Sequence, residues 1–219
     1  MENLVENISK SVAIELLFEE MPTRPTANAI FREARKIFGD INIINRDEND
    51  IEFSVDKFVA YNEDNTTSPV VLAMGNITDF DDKVAVSEFE RTQIWNVVNS
   101  EELLSKYKYA VKIWDVNAQR QIPKERAIML VDWLNVALKL YPKCQAIWIK
   151  SAGKLQLAQS IKNLKETGIV KYLYSMVNIR FFNVPNTNEF IVDSVGLANI
   201  GLSDVQFHFK GMNPNKVAN

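Results

Sequence analysis

A chain of 219 residues with 47% apolar and 24% charged residues has an ordinary globular composition, which excludes a disordered or fibrous protein. No run approaches the roughly 18 apolar residues of a membrane helix, and the start Met1-Glu-Asn-Leu-Val-Glu-Asn7 lacks the basic and apolar regions of a signal peptide. The formal charge is −3, and Cys144 has no second cysteine to pair with, so the chain reads as a cytoplasmic protein with a buried thiol.

Taken in chain order, Ser11–Phe18 is an apolar, β-branched run that predicts a strand. Pro22 and Pro25 end it. Ala27, Ile30, Phe31, Ala34, Ile37 and Phe38 then fall at helical spacing, with Gly39 where a helix terminator belongs. Ile41–Ile44, the alternation Ile51-Phe53-Val55, Phe58–Tyr61 and Val70–Met74 predict strands, with a polar loop over Asn62–Ser68. Ser87-Glu-Phe-Glu90 fits a capping box ahead of a short helix reaching about Val98. Tyr109–Val116 is apolar on both faces, as a central strand requires.

Pro123 opens the longest helix, whose stripe is Leu130, Trp133, Leu134, Ala137, Leu138 and Tyr141, and Pro142 stops it. Gln145–Ile149 is a strand, and Leu157, Ala158, Ile161 and Leu164 predict a helix closed near Gly168. Val177–Val184 and Glu189–Asp193 are strands around the turn Pro185-Asn-Thr-Asn188, and Val205, Phe207 and Phe209 alternate as a last strand. If Val184 pairs with Glu189 across that turn, Phe182 opposes Ile191 and Arg180 opposes Asp193. The expected fold is α+β: a mixed, largely antiparallel sheet with amphipathic helices in one domain spanning 1–219. A strand–helix–strand pattern occurs near 12–44 and again near 109–149, which reads as two related β-α-β halves, 10–80 and 105–210, sharing one core.

Charge is unevenly spread. Residues 1–100 carry 9 Lys/Arg against 19 Asp/Glu, residues 101–172 carry 13 against 6, and residues 173–219 carry 3 of each. The acidic and basic segments pack together and neutralise each other, or both are ordinary solvated faces, or Asp47, Glu48, Asp50, Glu63, Asp64, Asp79, Asp81 and Asp82 form an acidic face for a basic partner. Duplex nucleic acid is not an expected partner, because phosphate neutralisation needs a basic stripe.

Metal and cofactor motifs are missing. With one histidine and one cysteine no structural zinc site can be built, and neither a dinucleotide-binding glycine pattern nor a CxxC pair occurs, so no metal and no cofactor is expected. Gly153-Lys154, after a strand and ahead of a helix, resembles a phosphate loop, but Leu155 stands where a magnesium-binding hydroxyl belongs. Trp95, Trp114, Trp133 and Trp148 read as core. The candidate catalytic residues are Asp193, Asp204 and His208, with Ser194 or Ser203 as a nucleophile and Gln206 and Arg180 as binding residues nearby. Their structural reading is that Gln206 and His208 occupy the outward face of a strand while Asp204 satisfies backbone donors at the turn before it.

These residues carry a family likeness. Asp193, Gly196, Leu197, Gly201, Leu202, Asp204, Gln206, His208 and Phe209 match the pattern Asp-Thr-x-Gly-Leu, spacer, Gly-Leu-Pro-Asp-x-Gln-x-His-Phe, with Ser194 for the threonine and Ser203 for the proline. Thr92-Gln-x-Trp95, Arg126, Tyr141-Pro-x-Cys-x-Ala-Ile147 and Asn178-x-Arg-Phe-Phe182 are also similar. In these positions the chain resembles the bacterial family known as domain of unknown function 4261, over most of residues 85–217. The resemblance implies a bacterial cytoplasmic α+β protein and no particular activity. The expected function is a non-catalytic protein-interaction module, one version being an immunity-like protein whose acidic part, including Asp64, Asp81 and Asp82, covers a basic partner. The alternative is a small-molecule hydrolase or transferase using Asp193, Asp204 and His208, and a third class, a purely structural scaffold or homodimer subunit, is also open.

Overall fold

Period-two alternation builds the central sheet. The computed structural model describes residues 11–47, 49–64 and 66–217. Strands β1 (Ala13–Phe18), β2 (Ile41–Arg46), β3 (Ile51–Tyr61), β4 (Thr67–Asp79), β5 (Tyr109–Val116), β6 (Ala146–Ile149) and β7 (Lys154–Leu157) form a seven-stranded sheet in the order β2-β3-β4-β5-β1-β6-β7. Strands β8 (Asn178–Asn183), β9 (Glu189–Val195) and β10 (Gln206–Lys210) form a separate three-stranded sheet in the order β10-β9-β8. Every pairing is antiparallel. The fold class is therefore α+β.

The helices α1 (Ala27–Phe38) and α5 (Pro123–Leu140) are both crossovers. The connection β1-α1-β2 strides over β5, β4 and β3, and β5-α5-β6 strides over β1. Each crossover therefore encloses a strand that belongs to the other, and the two strand–helix–strand segments share one sheet.

Alternation along β1 shows how the layers divide. Ile14, Leu16 and Phe18 face a core with Ile30, Phe31 and Ala34 of α1, Leu130, Trp133 and Leu134 of α5, and Tyr172 and Met176 of α7 (Gly168–Met176). Leu17 faces the other way. It packs with Trp148, Leu155, Val86, Ile94, Val97 and Leu104 beneath the short helices α2 (Asp82–Ala85), α3 (Glu88–Thr92) and α4 (Ser100–Lys106). Trp133 is fully buried, meets Phe53 edge-on at 5.3 Å and donates its indole N–H to the Ala73 carbonyl at 3.2 Å.

The helix ends follow their sequence signals. Thr26 caps α1 through its hydroxyl to the Ala29 amide. Ser87 and Glu90 form the expected capping box of α3, and Pro123 occupies the first turn of α5. Cys144 is buried, and burial pushes its thiol up to about 12.

Some expectations are corrected. Gly153-Lys154 opens strand β7, not a helix: Gly153 takes a left-handed conformation (φ 57°) after a 3-10 turn at Lys150–Ala152 and reverses the chain into a hairpin. Phosphate-loop geometry is thus absent there. The helix after β7 is short, α6 (Ala158–Asn163), and Gly168 starts a further helix, α7, rather than closing the previous one. The two apolar runs 51–55 and 58–61 are one strand, β3, interrupted by a bulge between Val55 and Val59. The helix from the capping box ends at Thr92, well short of Val98. Trp95 is 46% exposed, not core.

The acidic and basic segments do pair in places. Glu33 of α1 lies 2.7 Å from Lys139 of α5, and Glu63 pairs with Arg120; within the acidic segment itself Glu33 also lies 2.6 Å from Lys36. The hydrogen bond from Lys139, then that from Lys36, holds the Glu33 carboxyl down to about 2 from 4.5. A carboxyl held low in the fold contributes stability that is complete above its unfolded value and disappears as pH falls through its folded one. Between pH 4.5 and 2 the wild type should therefore lose more thermal stability than Glu33→Gln. Parallel melting profiles for the two proteins over that range would contradict this linkage.

Candidate functional site

The hairpin β8–β9 forms in the expected register. The Val184 amide donates to the Glu189 carbonyl at 3.0 Å, and Phe182 opposes Ile191 while Arg180 opposes Asp193. Asn186 adopts φ 60° in the turn, a conformation asparagine tolerates better than most residues. Arg180 then clasps Asp193 with two bonds, Nε to Oδ1 at 2.9 Å and Nη2 to Oδ2 at 2.5 Å. Its guanidinium also lies over the Phe182 ring at 5.3 Å and near the Phe89 ring at 6.0 Å.

The rest of the C-terminal motif forms a staple. Asp204 accepts from the Ser194 hydroxyl (3.1 Å) and from the Leu197 amide (3.0 Å), with the Gly196 amide at 3.4 Å. Ser194 Oγ in turn accepts the Val205 amide at 2.9 Å. Gly196 (φ 123°) is required by space as well as conformation: a Cβ there would sit 2.9 Å from the Met176 carbonyl and 3.2 Å from Ala152 Cβ. The close approach lets Tyr172 of α7 donate to the Gly196 carbonyl at 2.7 Å. Asp204, Ser194 and Gly196 thus close the chain between β9 and β10 and tie it to α7.

Asp193, Asp204 and His208 do not meet. Asp193 opposes Gln206, and His208 opposes Ile191. His208 lies four residues beyond Asp204, roughly 13 Å along extended chain. Its Nε2 is 2.9 Å from Glu189 Oε2, and its side chain is half exposed. Ser194 points to the opposite face of β9 from Asp193 and is hydrogen-bonded to Asp204 and Val205, not to the histidine. His208→Gln should keep a donor toward Glu189 and leave Tm within about 2 °C of wild type. A folded His208→Gln protein that has lost its function would instead assign chemistry to the imidazole.

The outer edge of β8 is occupied by side chains from the segment after α3. Gln93 Oε1 accepts the Phe181 amide at 3.2 Å, and the Trp95 indole N–H donates to the Ile179 carbonyl at 2.7 Å. Together they mimic a neighbouring strand. Phe89 of α3 stacks on Phe182 at 6.3 Å. Beside this contact lies a cleft of about 340 Å³ lined by residues that include Glu90, Lys150, Ser151, Asn178 and Arg180. Just beyond it Lys154 is buried and donates to the Val177 carbonyl at 2.8 Å, and burial pulls its ammonium down to about 8.

The expected acidic residues divide between the two ends of the large sheet. Asp47 and Asp50 flank the β2–β3 turn and, at that same end, Asp79 is the last residue of β4 and Asp81 and Asp82 follow it, while Glu63 and Asp64 lie in the β3–β4 loop at the other; Glu48 lies outside the described residues. Several have local partners. Asp47 accepts the Asn49 and Asp50 amides, Asp64 the Thr66 amide, Asp81 the Lys83 amide, and Asp82 pairs with Arg91 at 2.9 Å.

Two features were missed in sequence. One is Asp115, fully buried in β5, which accepts from Arg126 Nε at 2.9 Å and from the Val12 amide at 2.6 Å. A carboxylate at an inward-alternating position of a largely apolar central strand was its only signal. The other is the set of large apolar side chains left outside by the short helices. Val86, Ile94, Val97 and Leu104 turn toward the sheet, whereas Val84 (79%), Phe89 (53%), Trp95 (46%) and Val98 (83%) remain exposed. Among the described residues no three His, Cys, Asp or Glu side chains gather as a metal site would, and no helix is long and apolar enough to cross a membrane.

Comparison with known proteins adds no relative: no family model, no curated protein and no solved structure matches the chain.

Proposed function

We propose that this protein is a non-catalytic binding module for a basic protein partner, engaged through the helical segment 81–106. The observation that carries the reading is the exposure of Val84, Phe89, Trp95 and Val98 within a segment holding six carboxylates and three cations. Aromatic and aliphatic anchors framed by charge are the composition of an interface whose apolar groups bind and whose rim selects the partner. Asp79, Asp81 and Glu88 are exposed and supply the negative rim. The geometry of Asp193, Asp204 and His208 supports this reading over a hydrolase or transferase, because the two aspartates are engaged in holding the hairpin and the staple. Membership of the domain of unknown function 4261 family, and with it a bacterial cytoplasmic setting, belongs to the same proposal and rests on the C-terminal motif.

Capture from native lysate tests it with two surface variants, Val84→Asp with Val98→Asp, and Asp79→Lys with Glu88→Lys. All four positions lie outside the core, so each variant should fold. The expected result is a basic protein retained by wild type and lost by both variants. Retention of the same partner by both variants would refute this surface.

A further inference from the structure

The two edges of the small sheet are finished differently. The β8 edge is closed by Gln93 and Trp95. The β10 edge has no such cover among the described residues. The Ser194 amide donates to the Val205 carbonyl at 2.8 Å and the Val205 amide turns back to Ser194 Oγ, so Val205 directs both backbone groups toward β9. Antiparallel ladders alternate, so Phe207 and Phe209 do the same, while Gln206, His208 and Lys210 direct theirs outward. Elsewhere, β2 carries a bulge between Ile43 and Asn45 that interrupts its regular pairing geometry. An open edge of this kind accepts another strand.

The side chains of β10 show which strand. On one face Val205 is 63% and Phe207 51% exposed, next to Phe209, which stacks on Phe207 at 5.9 Å. The segment begins with Asp204, whose carboxylate keeps its negative charge while accepting the Ser194 hydroxyl and the Leu197 amide of its own chain, and ends with the ammonium of Lys210. A copy of the same strand running antiparallel would bring each negative start against a positive end. Outward-facing residues must oppose outward-facing residues, which leaves three central registers. Centring on His208 sets two histidines against each other and leaves Asp204 beyond Lys210. Centring on Gln206 sets Lys210 against Leu202. Centring on Phe207 sets Asp204 against Lys210 and Gln206 against His208, twice over, and lays Phe207 on Phe207 and Val205 on Phe209 across the apolar face. Only this last register satisfies both charged ends and buries the exposed phenylalanine. Lys210 is 3.8 Å from Glu189 of its own chain, beyond hydrogen-bond distance.

We propose that two copies of this protein associate through β10, antiparallel and centred on Phe207, joining two three-stranded sheets into one of six. This goes beyond the binding reading above, which uses the segment 81–106, and either can fail without the other.

Sedimentation of the full chain over roughly 1 to 200 μM, where micromolar association is read, should show a monomer–dimer equilibrium. Lys210→Glu should weaken the dimer by at least about tenfold, through like charge against Asp204. His208→Pro should abolish it, since it removes an outward amide without touching the bonds to β9. In the proposed register residue 207 faces itself in a non-hydrogen-bonded pair, with Cα atoms about 4.5 Å apart. Phe207→Cys should therefore cross-link under mild oxidation, whereas His208→Cys should not, and the buried Cys144 supplies no background. A monomer throughout the concentration range would overturn the proposal, as would a dimer that survives His208→Pro. A dimer that fails to cross-link through Phe207→Cys, or a foreign strand occupying this edge in place of a second copy, would overturn it equally.

Discussion

Replacing Asp115 with alanine should destabilise the fold by about 3–5 kcal/mol, because it leaves a fully buried guanidinium without its carboxylate. Arg126 is 1% exposed and Asp115 0%, and arginine cannot shed its proton to escape the penalty. Burial pushes the Asp115 carboxyl up while Arg126 pulls it back. The bond from the Val12 amide is lost as well, which frees the start of β1 beside β5. Against a typical net stability of about 5–15 kcal/mol, such a loss moves the urea midpoint far toward zero. Replacing the pair together, Asp115→Leu with Arg126→Met, should recover most of it, since well-packed apolar groups often match or exceed a buried ion pair. Urea titrations of the single and double variants decide the matter. A single Asp115→Ala variant within about 1 kcal/mol of wild type would mean that the pair is not structurally important.

The second large effect belongs to Asp193. Its side chain is 16% exposed and that of Arg180 28%, so the pair is partly screened and worth less than the buried one. Asp193→Ala should cost about 1–3 kcal/mol, chiefly by stranding a guanidinium held between Phe89 and Phe182. Because that cation also binds the α3 aromatic contact to the small sheet, the loss should appear as faster amide exchange in β8 and β9 ahead of global unfolding. A double-mutant cycle with Arg180→Ala should return a coupling of roughly 1 kcal/mol or more. Additive single effects would remove the energetic claim even though the two side chains are in contact.

Where local chemistry dictated structure, the sequence could be read. The prolines at 123 and 142 bracket α5, the Ser87–Glu90 box starts α3, and the turn residues 185–188 were enough to set Arg180 against Asp193. These signals act over a few residues and need no knowledge of the rest of the chain. Glycine was harder. Gly153 and Gly168 both adopt positive φ, but one reverses a hairpin and the other begins a helix, and residue identity alone does not separate the two uses. The division into two sheets was not legible either, since β8's neighbours are chosen by Gln93 and Trp95 from some 85 residues away. For the same reason Trp95 read as core: an exposed indole whose N–H serves as a substitute strand bond has the same local sequence as a buried one.

The motif Asp193 to Phe209 was legible as a constellation, and its most economical reading was the structural one. Gly196 is demanded by the approach of α7, Asp204 by amides at the turn, and Asp193 by Arg180. What sequence could not separate was the acidic residues that serve local turns from those that face outward. Asp64 and Asp81 read identically with Asp79, yet the first two accept backbone amides of their own turns. The charge total of residues 1–100 therefore overstates the surface open to a partner.

The most direct test of the binding reading is the association rate of the captured partner with wild-type protein as ionic strength is raised. An acidic surface steering a basic partner predicts a fall of roughly tenfold or more between about 50 and 500 mM salt, with dissociation changing much less. The same steering predicts a shallower slope for Asp79→Lys with Glu88→Lys. An association rate that stays flat across that range would contradict the account.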